Sequence, residues 1–241
     1  MPTTAGTGAE VTRNAVLQSP EHRVKVSLRS GLMLPRVALV DPELTHPLPP
    51  ALTASTGMDA LTQLIEPFVS KRANPMTDAF CREGIPRISR SLRRAFQDGE
   101  DADARNDMAL ASLLGGLALA NAGLGAVHGF AAPIGGMFAV PHGAVCAALL
   151  PGVMQMNIQE ARKQDATAIT RRYDEVAQLL TGVATARAND GVQCVRTLSE
   201  DLQIPRLGAL GIQPESFSEL CEKALHSSSM KGNPFRSPSV N

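Results

Sequence analysis

Gly57-Met58-Asp59-Ala60-Leu61-Thr62-Gln63-Leu64-Ile65-Glu66-Pro67-Phe68-Val69-Ser70 is the stretch from which the fold can be read. Met58, Leu61, Ile65 and Phe68 recur at helical spacing, and Asp59, Gln63, Glu66 and Ser70 do the same on another face. The stretch predicts a helix from about residue 58 to about residue 70, with Thr53 or Ser55 as its N-cap. Taken alone, such a polar stripe reads as a solvent-facing surface.

Upstream, Pro47, Pro49 and Pro50 separate this helix from a first section of different character. That section is Thr- and Gly-rich at its start and contains the apolar run Val37-Ala38-Leu39-Val40, closed by Asp41-Pro42, which predicts a strand and a turn. Downstream, Gly, Pro and Asn signals separate helices expected over residues 76–96, 103–122, 143–157, 160–181, 188–202 and 215–226. The expected fold is mainly α, with roughly seven to nine helices. Residues 1–50 form a short β-containing section and residues 51–241 a helical domain. The charge-rich residues 98–107 read as a solvated loop between helices, and residues 227–241 as a surface segment.

Lys plus Arg (23) equals Asp plus Glu (23), so no net field draws the chain to nucleic acid or to an acidic membrane surface. Cys81, Cys146, Cys194 and Cys221 form no C-x-x-C pair, which argues against a disulfide framework and against a thiolate zinc site. The N-terminus has no basic region followed by an apolar run, so a cytoplasmic location is expected.

Residues 108–159 contain no Asp, Glu, Lys or Arg, and their only histidines are His128 and His142. Residues 108–127 are long enough to span a bilayer, but Asn121 and the missing aromatic belt favour a buried helix in a globular core. An imidazole in apolar surroundings is either a hydrogen-bonded core residue or a metal ligand, because burying it without a partner is costly. Two such histidines at the ends of an expected Gly/Pro loop, residues 129–141, together with a carboxylate upstream, are a ligand set suited to Fe(II) or Zn(II).

Three segments together resemble the iron-containing alcohol dehydrogenases, the group that includes maleylacetate reductases and is related in fold to glycerol dehydrogenase and dehydroquinate synthase. They are Pro2-Thr3-Thr4-Ala5-Gly6-Thr7-Gly8-Ala9-Glu10, Gly57 through Glu66, and Gly125-Ala126-Val127-His128 through Pro141-His142-Gly143. The resemblance implies that residues 1–50 are a remnant of the dinucleotide-binding domain and residues 51–241 the helical metal-binding, catalytic domain of the dehydroquinate synthase-like fold, with a divalent metal, iron(II) first and zinc(II) second. Its ligand positions fall on Asp59, Gln63, His128 and His142, with Gln63 where a histidine is usual and Ala132 where many members carry a further histidine.

The resemblance also implies NAD or NADP, with Thr3, Thr4 and Thr7 as the carried-over cofactor contacts. The glycine-rich phosphate loop of the family's N-terminal domain is not found before Thr3, so the chain is expected to be truncated, a fragment, or assigned a start too far downstream. The implied function is NAD(P)-linked alcohol dehydrogenase chemistry, incomplete in this chain alone. The implied partners are a small alcohol, aldehyde or ketone and further copies of the chain in a homo-oligomer, with no nucleic acid and no membrane. A catalytically dead helical module for oligomerisation or regulation is the competing reading, and metal content and dinucleotide binding separate the two.

Overall fold

The computed structural model describes residues 1–19, 21–22 and 24–235. Strands β1 (Asn14–Ser19) and β2 (Val24–Arg29) pair antiparallel, Asn14 opposite Arg29 and Ser19 opposite Val24. Eight α-helices follow among the described residues: α1 (Pro50–Val69), α2 (Pro75–Gln97), α3 (Ala102–Ala122), α4 (Ala126–Met137), α5 (His142–Lys163), α6 (Thr167–Thr181), α7 (Ala188–Asp201) and α8 (Phe217–His226).

The decisive helix differs from its expected form in two ways. It starts at Pro50, because a proline in the first turn loses no intrahelical bond and its ring presets the helical φ. Thr53 and Ser55 consequently lie inside the helix rather than capping it. Every residue from 57 to 69 is buried, so the stripe of Asp59, Gln63 and Glu66 does not face solvent. Helix α1 is the central post of the bundle, and α2, α3, α5 and α6 pack around it. A helix covered on all sides must pair its polar residues internally, because buried polar groups without partners are destabilising.

Four further expectations are corrected. Residues 37–40 form no strand: Val37 and Leu39 are 79% and 54% exposed, and no neighbouring strand satisfies that backbone among the described residues. Most of the expected loop over residues 129–141 is helix α4, whose first turn is capped from another part of the chain despite its glycines and Pro133. Of the charged stretch, only residues 98–101 form a loop. Asp101 caps α3 by accepting from the Ala104 N–H at 3.0 Å, and Asp107 sits inside α3.

The fourth correction concerns the C-terminal segment. Met230, Gly232, Asn233 and Phe235 are buried, because the Asn233 amide donates to Asn157 Oδ1 at 3.0 Å and to the Phe235 carbonyl at 2.8 Å. Asn233 Oδ1 in turn accepts from the Ala126 N–H at 3.3 Å. The remainder of that expected surface segment, residues 236–241, lies outside the described residues.

Helix α3 and helix α4 meet at a bend of 100°, and no single helix among the described residues is long and apolar enough to cross a membrane. The bend places the N-terminus of α4 beside the buried carboxylates of α1.

Candidate metal centre

Three helices deliver the candidate ligands to one point. Asp59 comes from the middle of α1, His128 from the first turn of α4, and His142 from the first residue of α5. Two glycines allow the approach. A Cβ on Gly143 would collide with the Ser55 carbonyl, so the start of α5 can lie against the α1 backbone only with glycine there. A Cβ on Gly125 would sit 2.9 Å from Glu66 Oε1, so the start of α4 is equally close to its carboxylate neighbour.

Glu66 has two tasks at that junction. Its Oε1 accepts from the Val127 N–H at 2.7 Å, satisfying an orphan donor in the first turn of α4 and placing negative charge at the positive end of the helix. Its Oε2 lies 2.7 Å from His128 Nδ1. A carboxylate there accepts a hydrogen bond from Nδ1–H and leaves the lone pair of Nε2 to face the centre. That Nε2 points at Asp59 Oδ1, 3.2 Å away, and His142 Nε2 lies 3.8 Å from the same oxygen. The second Asp59 oxygen accepts from the Thr7 hydroxyl at 3.3 Å, so the Thr/Gly segment reaches the centre.

The electrostatics favour positive charge at this point. Burial alone would raise the Asp59 pKa, but His128, His142 and the Gln63 amide outweigh it and hold the carboxyl at about 2. Burial works against a charged His128, yet Cys146, Asp59 and Glu66 push its pKa well above the ordinary imidazole value. Cys146 and Asp59 raise that of His142 as well, against burial and the neighbouring His128.

The candidate residues differ in their surroundings. Asp59 and His128 are buried, whereas the His142 side chain is 37% exposed and opens onto a cavity of about 860 Å³. Gln63 is buried and lines that cavity, and its Oε1 is the one buried side-chain polar atom among the described residues without a hydrogen-bond partner. Thr7 lines the cavity too, while Thr3 and Thr4 are exposed and lie outside its lining. Ala132, Lys25, Arg29 and Lys223 also border it.

Two participants were not singled out by sequence reasoning. Glu66 was visible as part of the helical stripe, and only the fold shows that it faces His128. Cys146 Sγ lies 3.9 Å from His128 Nε2 and 3.7 Å from His142 Nε2, and one donor atom from each of Asp59, His128, His142 and Cys146 falls within 4.8 Å of the others. The available signal was its position four residues after His142, on the same face of a helix.

A carboxylate and two imidazoles converging beside an open cavity, on a helical frame, define a candidate divalent-metal centre. The sequence profile of the Fe-containing alcohol dehydrogenase family, C-terminal, matches residues 53–240, and that of the iron-containing alcohol dehydrogenases matches residues 1–42. The chain belongs to the Fe-containing alcohol dehydrogenase family.

Alcohol dehydrogenase 4 of Saccharomyces cerevisiae is 40% identical over 233 residues, covering 96% of this chain and 59% of that relative. The 1,3-propanediol dehydrogenase of Klebsiella pneumoniae is 41% identical over 242 residues, covering 98% and 59%. The crystal structure of a 1,3-propanediol oxidoreductase superposes with a TM-score of 0.89 at 41% identity, over 98% of this chain and 61% of that one. Sulfoacetaldehyde reductase from Bifidobacterium kashiwanohense, solved with NAD+, superposes with a TM-score of 0.83 at 29% identity, over 98% and 60%. The chain thus spans about 60% of the length of these relatives.

Proposed function

We propose that this chain carries the metal-binding catalytic half of an NAD(P)-linked oxidoreductase that interconverts small alcohols with aldehydes or ketones. The observation that carries the reading is the convergence of Asp59, His128 and His142, with His128 Nδ1 held by Glu66. The donor set fits Fe(II) or Zn(II), which accept imidazole nitrogen and carboxylate oxygen together. The unpartnered Gln63 Oε1 fits as well, because a buried orphan acceptor is explained by an ion or a donor that belongs beside it.

When bound, the metal supplies Lewis-acid polarisation of the substrate oxygen. The chain's own residues prepare that site. Asp59 stays ionised across the neutral range, Thr7 fixes its second oxygen, and Glu66 fixes the tautomer and plane of His128. The cavity reaches His142 and Gln63 and has room for a small alcohol, with apolar side chains such as Leu119, Leu124 and Val26 in its wall. A dinucleotide's pyrophosphate normally rests on a glycine-rich loop, and the 241-residue sequence holds none. The four free cysteines are compatible with a reducing cytosol.

Anaerobic equilibrium dialysis against Fe(II) or Zn(II), with retained metal measured by mass spectrometry, tests the reading. The chain should retain one equivalent, and Asp59→Ala and His128→Ala should each lose it. Retention that is absent in the unaltered chain, or unchanged in both variants, contradicts it.

A further inference from the structure

We propose that Cys146 is the fourth protein ligand of this centre, supplying a thiolate where the Gln63 amide would be a weak donor. The inference rests on the metal-binding reading above and adds a ligand to it. A buried cysteine is ordinarily a small apolar filler. Cys146 is fully buried, but its sulfur faces two imidazole nitrogens, at 3.9 Å from His128 Nε2 and 3.7 Å from His142 Nε2.

Those distances are close to the edges of a coordination tetrahedron. Bonds of about 2.0–2.1 Å to nitrogen or oxygen and about 2.3 Å to sulfur separate neighbouring donors by about 3.3 Å for N···O and about 3.6 Å for N···S. The two N···O edges are 3.2 and 3.8 Å and the two N···S edges 3.9 and 3.7 Å. Shifts of a few tenths of an ångström, well within side-chain adjustment, would complete those four edges.

The helix makes this placement inexpensive. His142 and Cys146 are one turn apart on α5, so a single rigid element presents both donors on one face. Gln63 Oε1 is unpartnered and available, but it is neutral and so offsets none of the metal's charge. An amide oxygen is also a poorer ligand for Fe(II) or Zn(II) than a thiolate. On binding, the Cys146 thiol releases its proton to solvent as the sulfur–metal bond forms. One carboxylate and one thiolate then balance a divalent cation. The soft sulfur favours Zn(II) over the harder ions that an all-oxygen set would hold.

Cobalt(II) reports the ligand directly. The chain loaded with Co(II) should show a sulfur-to-cobalt charge-transfer band in the near ultraviolet. Cys146→Ser should abolish that band while the visible cobalt bands persist, and Gln63→Leu should keep it. Zinc affinity in Cys146→Ser should fall by more than about 100-fold, beyond the roughly 10–100-fold cost of losing a group that only orients a ligand. Stoichiometric cobalt binding without the band overturns the Cys146 proposal and leaves the metal centre standing. Failure to bind cobalt at all overturns both. Because the band is read in the unaltered chain, the proposal can fail even if Cys146→Ser does not fold.

Discussion

Glu66 is the residue on which the centre's geometry turns, because one carboxylate both caps α4 and orients His128. Replacing it by glutamine preserves volume but lets the side chain donate to Nδ1 as readily as accept from it. The Nε2 proton would then occupy the position needed for metal. Glu66→Gln should lower metal affinity about 10–100-fold. It should also reduce unfolding free energy by about 1–3 kcal/mol, the usual cost when a buried charged acceptor loses its bonds. Zinc titration and urea denaturation of the variant measure the two effects, and unchanged zinc affinity would contradict the orienting role. At this scale Asp59, Gln63, His128 and His142 could be named from residue type and the family resemblance. Glu66 and Cys146 could not be assigned roles, because their partners are 61 or 62 residues away for Glu66 and 18 for the Cys146–His128 contact.

Among the elements, α2 and α3 are joined by a buried-edge ion network with a sharp pH signature. Asp107 on α3 accepts from Arg90 Nε at 2.7 Å, from Arg87 at 2.6 Å and from the Ser91 hydroxyl at 2.6 Å, all on α2. Burial pushes its pKa up, but Arg90, Ser91 and Arg87 outweigh burial and draw it down to about 2. A carboxyl whose folded pKa is depressed contributes stability above its unfolded value and loses it on acidification. The contribution is therefore present above about pH 4 and fades towards about pH 2. With screening at the half-exposed Arg90, it amounts to roughly 1–2 kcal/mol.

Asp107→Asn should be less stable than the parent by about that amount near pH 6, with the gap narrowing as pH falls from about 4 to about 2. A gap independent of pH in chemical denaturation would contradict the assignment. The sequence showed these charges only as a solvated loop, because the Asp101 cap and the α2 arginines that turn them into a helix seam act through tertiary contacts. Helix existence was legible from periodicity in most of the chain. Helix α4 was not, since its Gly- and Pro-rich sequence is helical only with Glu66 and Asn233 holding its first turn.

For the whole molecule, the helical frame is present and the candidate metal ligands converge, while the 241-residue sequence holds no glycine-rich phosphate loop of the kind a dinucleotide enzyme uses. NADH or NADPH titrated into the 241-residue chain should bind no more tightly than about 1 mM, because a few hydroxyl contacts near Thr7 do not offset the freedom lost on association. Micromolar binding by calorimetry would contradict this. That the strands lie before Pro50 and the α-helices from it onward was readable from the single switch in pattern there. The placement of the hairpin was not, since the apolar run at residues 37–40 is more strand-like in composition than much of the pairing segment at residues 14–29.

The central claim is that α1, α4 and α5 build one divalent-metal site. Anomalous X-ray scattering from crystals of the chain grown with Zn(II) or Fe(II), collected at the metal's absorption edge, tests it most directly. The expected result is a single strong peak in bonding range of Asp59 Oδ1, His128 Nε2 and His142 Nε2, with Cys146 Sγ adjoining. A peak elsewhere, or none under saturating metal, would contradict it.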